Sequence, residues 1–128
     1  MQIHSGIDTI EISRLDEIKP QIRERFIKRV YTENEIFQAR GRSEMLSGLF
    51  AAKEAVSKAL GTGIGYVQWR DIEIVHLPTG QPTLVLHGNA EKVADQLGIS
   101  SWSVSISHDR DKAIAMAVAI SEQTKPNN

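Results

Sequence analysis

Phe50-Ala51-Ala52-Lys53-Glu54-Ala55-Val56-Ser57-Lys58-Ala59-Leu60-Gly61-Thr62-Gly63 is the stretch that decides the fold. Leu49, Ala52, Val56, Ala59 and Leu60 recur at helical spacing, and the helix they define runs over 44–60. Gly61-Thr62-Gly63 ends it, because glycine adopts the left-handed C-terminal geometry without penalty. A second face gathers Phe50, Glu54, Ser57, Lys58 and Gly61 by steps of three and four. Glu54 and Lys58, one turn apart, read first as a surface ion pair that steadies a helix. Two features point beyond that. Phe50 shares the polar stripe, where a solvated face would not favour it, and the GTGIG run is glycine-rich enough for backbone to approach a ligand closely. It is not a phosphate loop of the usual kind, which precedes a helix and uses its N-terminal dipole. These glycines follow the helix, at its negative end, so a phosphate there needs a cation. Lys58 lies one turn back.

Upstream, residues 2–10 read as a short β-branched strand. Leu15, Ile18, Ile22 and Phe26 then show helical spacing, interrupted at Pro20, where a break or a fresh start is expected. Thr32-Glu33-Asn34-Glu35 matches a capping box that opens a helix ending near Gly41. Downstream, 71–77 and 82–87 read as strands joined by a Pro78-Thr79-Gly80 turn. A short helix over 89–97 takes Asn89 as its cap and Gly98 as its stop. Two further strands cover 101–107 and 112–120. In the first, Trp102, Val104 and Ile106 share a face and serines line the other. In the second, alanines at 113, 115, 117 and 119 alternate with Ile114, Met116, Val118 and Ile120, the pattern of a strand buried on both faces. The alanine face suits close helix packing; the large-residue face suits core or a subunit contact equally. The reading is an α/β (α+β) fold: a single domain over 1–121, a mainly antiparallel sheet packed on a long central helix, and a polar frayed tail over 122–128.

The chain has 128 residues, one domain's worth, and 41% of them are hydrophobic, enough for a real core. It has no cysteine, which excludes disulfides and thiolate metal sites. No apolar run approaches bilayer length and the first residues lack the form of a signal peptide, so the expected location is the cytoplasm. Neither a membrane nor a nucleic-acid partner is expected. The net charge of −1 conceals a local surplus. Residues 14–29 hold six basic side chains (Arg14, Lys19, Arg23, Arg25, Lys28, Arg29) against three acidic ones. That stretch is either a solvated helix face or a surface for an acidic partner.

Asp8 stands among strand apolars, where a carboxylate needs a partner, either an arginine or a metal. One carboxylate on a strand and one on a helix, Asp8 and Glu54, form a sparse oxygen set. Such a set suits magnesium, which keeps waters and takes substrate phosphates as further ligands. It does not suit zinc, because the four histidines are scattered. His108, after a serine-faced strand, reads either as a surface group or as a donor to a phosphate or an adenine.

Gly6-Ile7-Asp8 with Arg14, the Phe50–Gly63 block, Asp71-Ile72-Glu73-Ile74, Gly80-Gln81-Pro82 and Ser105-Ile106-Ser107-His108 occur in one order. This series resembles the holo-acyl-carrier-protein synthases, the short, trimeric class of 4′-phosphopantetheinyl transferases. The resemblance spans about residues 4–120, and the central block is its most specific part. It implies transfer of the 4′-phosphopantetheine arm of coenzyme A to a serine of apo-acyl carrier protein, with release of adenosine 3′,5′-bisphosphate, in fatty acid biosynthesis. It makes Asp8 and Glu54 magnesium ligands and gives Asp8, Glu54 and Lys58 catalytic roles. It places Phe50, Lys58, Gly61, Thr62, Gly63 and His108 at coenzyme A, and Arg14, Arg25 and Arg29 on the acidic carrier protein. It also implies a homotrimer with active sites between subunits. The base for the incoming serine is left open between a metal-bound water and Asp8 or Glu54.

One position departs from the pattern. Relatives often carry arginine immediately before the Phe-Ala-x-Lys-Glu block, where this chain has Leu49. If that arginine holds a phosphate, the task passes to Arg42 or Lys53. Two other classes remain open: a non-catalytic module gripping an acidic protein through 14–29, and a protein that binds coenzyme A without turning it over.

Overall fold

In chain order the elements are β1 (Gln2–Glu11), α1 (Ser13–Asp16), α2 (Pro20–Val30), α3 (Glu33–Ala39), α4 (Ser43–Ala59), a single 3-10 turn (Trp69–Asp71), β2 (Ile72–His76), β3 (Pro82–Leu86), α5 (Gly88–Leu97), β4 (Ile99–His108) and β5 (Lys112–Ser121). They are read from a computed structural model that describes residues 1–122. The tail expected over 122–128 lies outside those residues, apart from Glu122. β1, β5 and β4 form an antiparallel sheet with β5 in the centre, and β2 and β3 form a separate antiparallel hairpin. This is the α+β domain that the alternation of helical and strand periods called for. Among the described residues no helix is long and apolar enough to cross a membrane.

α4 lies across one face of the three-stranded sheet, and small residues set how close it comes. Side chains on a strand alternate between faces. On β5 the even face is thus Ile114, Met116, Val118 and Ile120, and the odd face is Ala113, Ala115, Ala117 and Ala119. All four alanines are buried with Ala51, Ala52, Ala55 and Ala59 of the helix. On β1 the face toward α4 carries Gly6, Asp8 and Ile10. A Cβ placed on Gly6 would fall 1.9 Å from the Ala55 carbonyl oxygen, so only glycine fits there. Of the two readings of the large-residue face of β5, core or a subunit contact, the described residues do not bear out core. The alanine face is covered, while Ile114 and Met116 stay 43% and 48% exposed, beside Ile3 and Ile7 of β1. Among the described residues no second layer covers that side.

Local chemistry explains the element ends. Pro20 takes the first position of α2, where its missing N–H costs nothing, and the chain breaks between α1 and α2 as expected. Thr32 and Glu35 form the reciprocal capping box of α3. That helix closes on Arg40, a non-glycine residue at φ 51°. Gly98 ends α5 in the left-handed conformation. Asn89 does not cap α5. His87 occupies the cap position, and the Asn89 amide instead donates to the Tyr66 carbonyl at 2.8 Å.

Candidate active site

Because Gly6 lets β1 touch α4, Asp8, two residues on and on the same face, comes level with the last turns of the helix. The Lys58 ammonium donates to Asp8 Oδ1 at 3.1 Å and to the Ile7 carbonyl at 3.0 Å. The pairing expected from sequence, Glu54 with Lys58 along the helix, gives way to this longer-range one. Glu54 stays partly exposed beside both groups. Burial first, then the Asp8 carboxylate, push its carboxyl above the usual glutamate range, and Lys58 offsets only part of this. Two carboxylates and one ammonium therefore converge on an open shelf. Excess negative charge is held there by β1 and α4 rather than by local sequence. Among the described residues no group of three or more His, Cys, Asp or Glu side chains could hold a metal ion. Any ion here must take most of its ligands from water or substrate.

The polar stripe of α4 is narrower than its spacing suggests. Ser57 is fully buried and donates to the Glu54 carbonyl at 2.7 Å. Phe50 stacks on Trp69 with ring centroids 4.7 Å apart and leans on Phe26 at 5.8 Å. It thereby ties α4 to α2 and to the 3-10 turn. Gly61 and Gly63 hold φ of 81° and 63°. The N–H groups of Thr62 and Gly63 both donate back to the Ser57 carbonyl, at 3.2 and 3.1 Å, and Gly61 N–H donates to the Lys58 carbonyl at 3.0 Å. These donors cap the helix and cannot also cradle a phosphate. The loop offers open space beside bare backbone instead, since nothing lies within 4 Å of a Cβ built on Gly61 or Gly63.

His108 is not brought to the same place. It is exposed at the end of β4 and lines a cavity of about 610 Å³ with Ile12, Asp16, Ser43 and Glu44. That is the N-terminal end of α4, whereas the glycines follow its C-terminal end. A 17-residue helix is about 25 Å long. Within one chain, the residues expected at coenzyme A thus fall into two groups.

Arg14, Arg25 and Arg29 are exposed on α1 and α2. Arg23, counted with them by charge, turns inward to the Leu15 and Gly41 carbonyls and to Ser43 Oγ. An apolar groove of about 500 Å³, walled by Ile18, Pro20, Ile27 and Ile36, opens beside this basic surface.

The 4′-phosphopantetheinyl transferase superfamily matches residues 5–119, almost the whole fold. The holo-[acyl-carrier-protein] synthase of Herpetosiphon aurantiacus is 44% identical over 123 residues, 91% of this chain and 97% of that protein. The chain belongs to the holo-[acyl-carrier-protein] synthase family. Its fold is that of solved synthases. The Helicobacter pylori enzyme in complex with coenzyme A superposes with a TM-score of 0.82 at 36% identity, covering 91% of this chain and 99% of the other. The Bacillus anthracis synthase in complex with CoA (3′,5′-ADP) gives 0.75 at 36% identity, covering 93% and 96%.

Two residues considered for a phosphate can now be separated. Lys53 is fully buried and ion-paired to Glu35, so it cannot substitute for the arginine that Leu49 displaces. Arg42 is exposed at the start of α4 and stays accessible. Leu49 is itself fully buried core. Sequence gave no sign that Lys53 is internal, because its partners lie far away along the chain.

The raised Glu54 carboxyl has a consequence for stability. A carboxyl titrating higher in the folded than in the unfolded chain stabilises the fold at low pH, and that contribution is lost as pH rises through the folded-state value. Ionised Glu54 therefore weighs against the metal-free fold near neutrality. Metal-free Glu54→Gln is expected to melt above the parent at pH 8, with the gap closing on acidification. Thermal melts with EDTA across that range check it. A variant melting below the parent at pH 8 would mean that the carboxylate pair carries no net repulsion.

Proposed function

We propose that the chain transfers the 4′-phosphopantetheine group of coenzyme A to a serine of an apo-acyl carrier protein, releasing adenosine 3′,5′-bisphosphate, as a cytoplasmic enzyme of fatty acid biosynthesis. The observation that carries this reading is the meeting of Asp8, Glu54 and Lys58 on one shelf, in a chain of this family.

Asp8 and Glu54 fit magnesium. They are oxygen donors, too few to enclose an ion, and their mutual repulsion favours a divalent cation between them. Bound there, magnesium would act as a Lewis acid on the diphosphate of coenzyme A. Lys58 sits where it can offset charge building on the departing bisphosphate, once substrate competes with Asp8 for its ammonium. The serine proton needs an acceptor near neutral pH. The chain's own candidates are the Asp8 and Glu54 carboxylates. Phe50 would face the pantetheine arm, and Gly61, Thr62 and Gly63 would give close approach to backbone rather than N–H donors. Exposed Arg14, Arg25 and Arg29 would meet the acidic carrier, whose apolar side chains the neighbouring groove suits.

A homotrimer with active sites between subunits reconciles the two groups of coenzyme A residues, because His108 would come from a second copy. Ile3, Ile7, Ile114 and Met116 form the exposed apolar surface that such assembly would cover.

Mass spectrometry tests the activity. Apo-carrier incubated with the enzyme, coenzyme A and magnesium should gain one phosphopantetheine, and EDTA should abolish the gain. Folded enzyme that binds coenzyme A but adds no mass would instead make the chain a coenzyme A-binding module. For the assembly, Ile7→Asp is expected to give a monomer by light scattering and to lose transfer. An Ile7→Asp trimer with parent-like turnover would contradict the interface.

A further inference from the structure

Lys53 and Glu35 have no part in the proposed chemistry, yet both side chains are 0% exposed. Each polar side-chain atom of the pair is hydrogen-bonded. The Lys53 ammonium donates to Glu35 Oε1 at 2.7 Å, to the Trp69 carbonyl at 3.1 Å and to the Ile72 carbonyl. Those are the three donors an ammonium has. Glu35 Oε1 also accepts from Thr32 N–H at 2.9 Å, and Oε2 accepts from Ile74 N–H at 2.9 Å. One carboxylate thus caps α3 and holds β2, and one ammonium joins both to α4.

We propose that this buried pair positions Glu54 by fixing the rotation of α4. The packing of α4 explains why such a pin is needed. The helix meets the sheet through Gly48, Ala51, Ala55 and Ala59, with Gly6 and the β5 alanines against most of that face and Ile106 of β4 against Gly48. Small side chains make shallow ridges and grooves, so this interface holds the helix close but resists rotation about its axis weakly. Lys53, by contrast, makes three directional bonds to segments outside the sheet. Glu54 is the next residue, about 100° further round the helix. Its carboxylate meets Asp8 only while that azimuth is held. Lys53 and Glu35 are positioning residues, acting through α4 and touching neither substrate nor metal.

The inference rests on the metal site proposed above, and the test separates the two. Manganese bound in the presence of coenzyme A is titrated by electron paramagnetic resonance for the parent, Lys53→Met, and Lys53→Met/Glu35→Gln. Thermal melts run alongside. Lys53→Met leaves a buried carboxylate unpaired and should melt well below the parent. The double variant removes that charge, and the glutamine oxygen can still accept in the capping box, although its amide nitrogen cannot accept from Ile74 N–H, so part of the melting temperature should return. Manganese affinity should not return with it, remaining weaker by roughly tenfold or more. Recovery of parent-like manganese affinity together with stability would overturn the proposal and leave the pair a stabilising element alone. If the parent binds no manganese with coenzyme A, the metal-site reading fails instead. Should the double variant not fold, Glu35→Gln alone answers the same question by the same titration.

Discussion

The contact between Gly6 and the Ala55 carbonyl is the constraint on which the site depends. Any larger residue at position 6 would meet that oxygen at 1.9 Å. Its absence lets β1 and α4 pack backbone to backbone, and the alanines of β5 extend the same close layer. Asp8 stands two residues from the contact and Glu54 one residue from it. The two carboxylates are therefore brought together as a by-product of small-residue packing. Side chains that bury little area carry the arrangement, and larger ones such as Leu46, Leu49, Tyr31 and Ile72 supply the hydrophobic stabilisation around it.

Electrostatics then divides the charged residues of α4 between two tasks. Lys53 and Glu35 are buried, paired and hydrogen-bonded at each polar side-chain atom, an arrangement that contributes definition more than net stability. Asp8, Glu54 and Lys58 are partly exposed and carry an unbalanced carboxylate. A fold that concentrates like charge at one shelf is less stable there than it could be, and polarised ligands are what relieve such a site. Consecutive residues, Lys53 and Glu54, thus serve opposite ends, with the helix as the rigid link.

Much of this was legible in the sequence because it rests on local pattern. The 3.6-residue period gave α4, alternation gave β4 and β5, and Thr32 with Glu35 announced the cap of α3. Resemblance supplied the family, and the Phe50–Gly63 block carried most of it. What could not be read was any pairing across a long stretch of chain. Lys58 meets Asp8 across 50 positions, so its helical neighbour Glu54 was the nearer guess. Lys53 and Ser57 are polar by type, and nothing adjacent reveals that Glu35, Ile72 and the helix backbone satisfy them inside. Arg23 joined the basic patch by charge alone, although backbone carbonyls draw it inward. The glycines after α4 were recognisable as special, but their N–H groups turning back on the helix is a fact of geometry.

Close approach at Gly6, more than any single charged group, brings Asp8, Glu54 and Lys58 together. The most direct measurement is the rate at which folded Gly6→Ala, its helix content verified by circular dichroism, adds phosphopantetheine to apo-carrier under saturating coenzyme A and magnesium. Displacing α4 by the width of one methyl group should slow transfer by roughly a hundredfold or more. A folded Gly6→Ala protein turning over at the parent rate would contradict the claim.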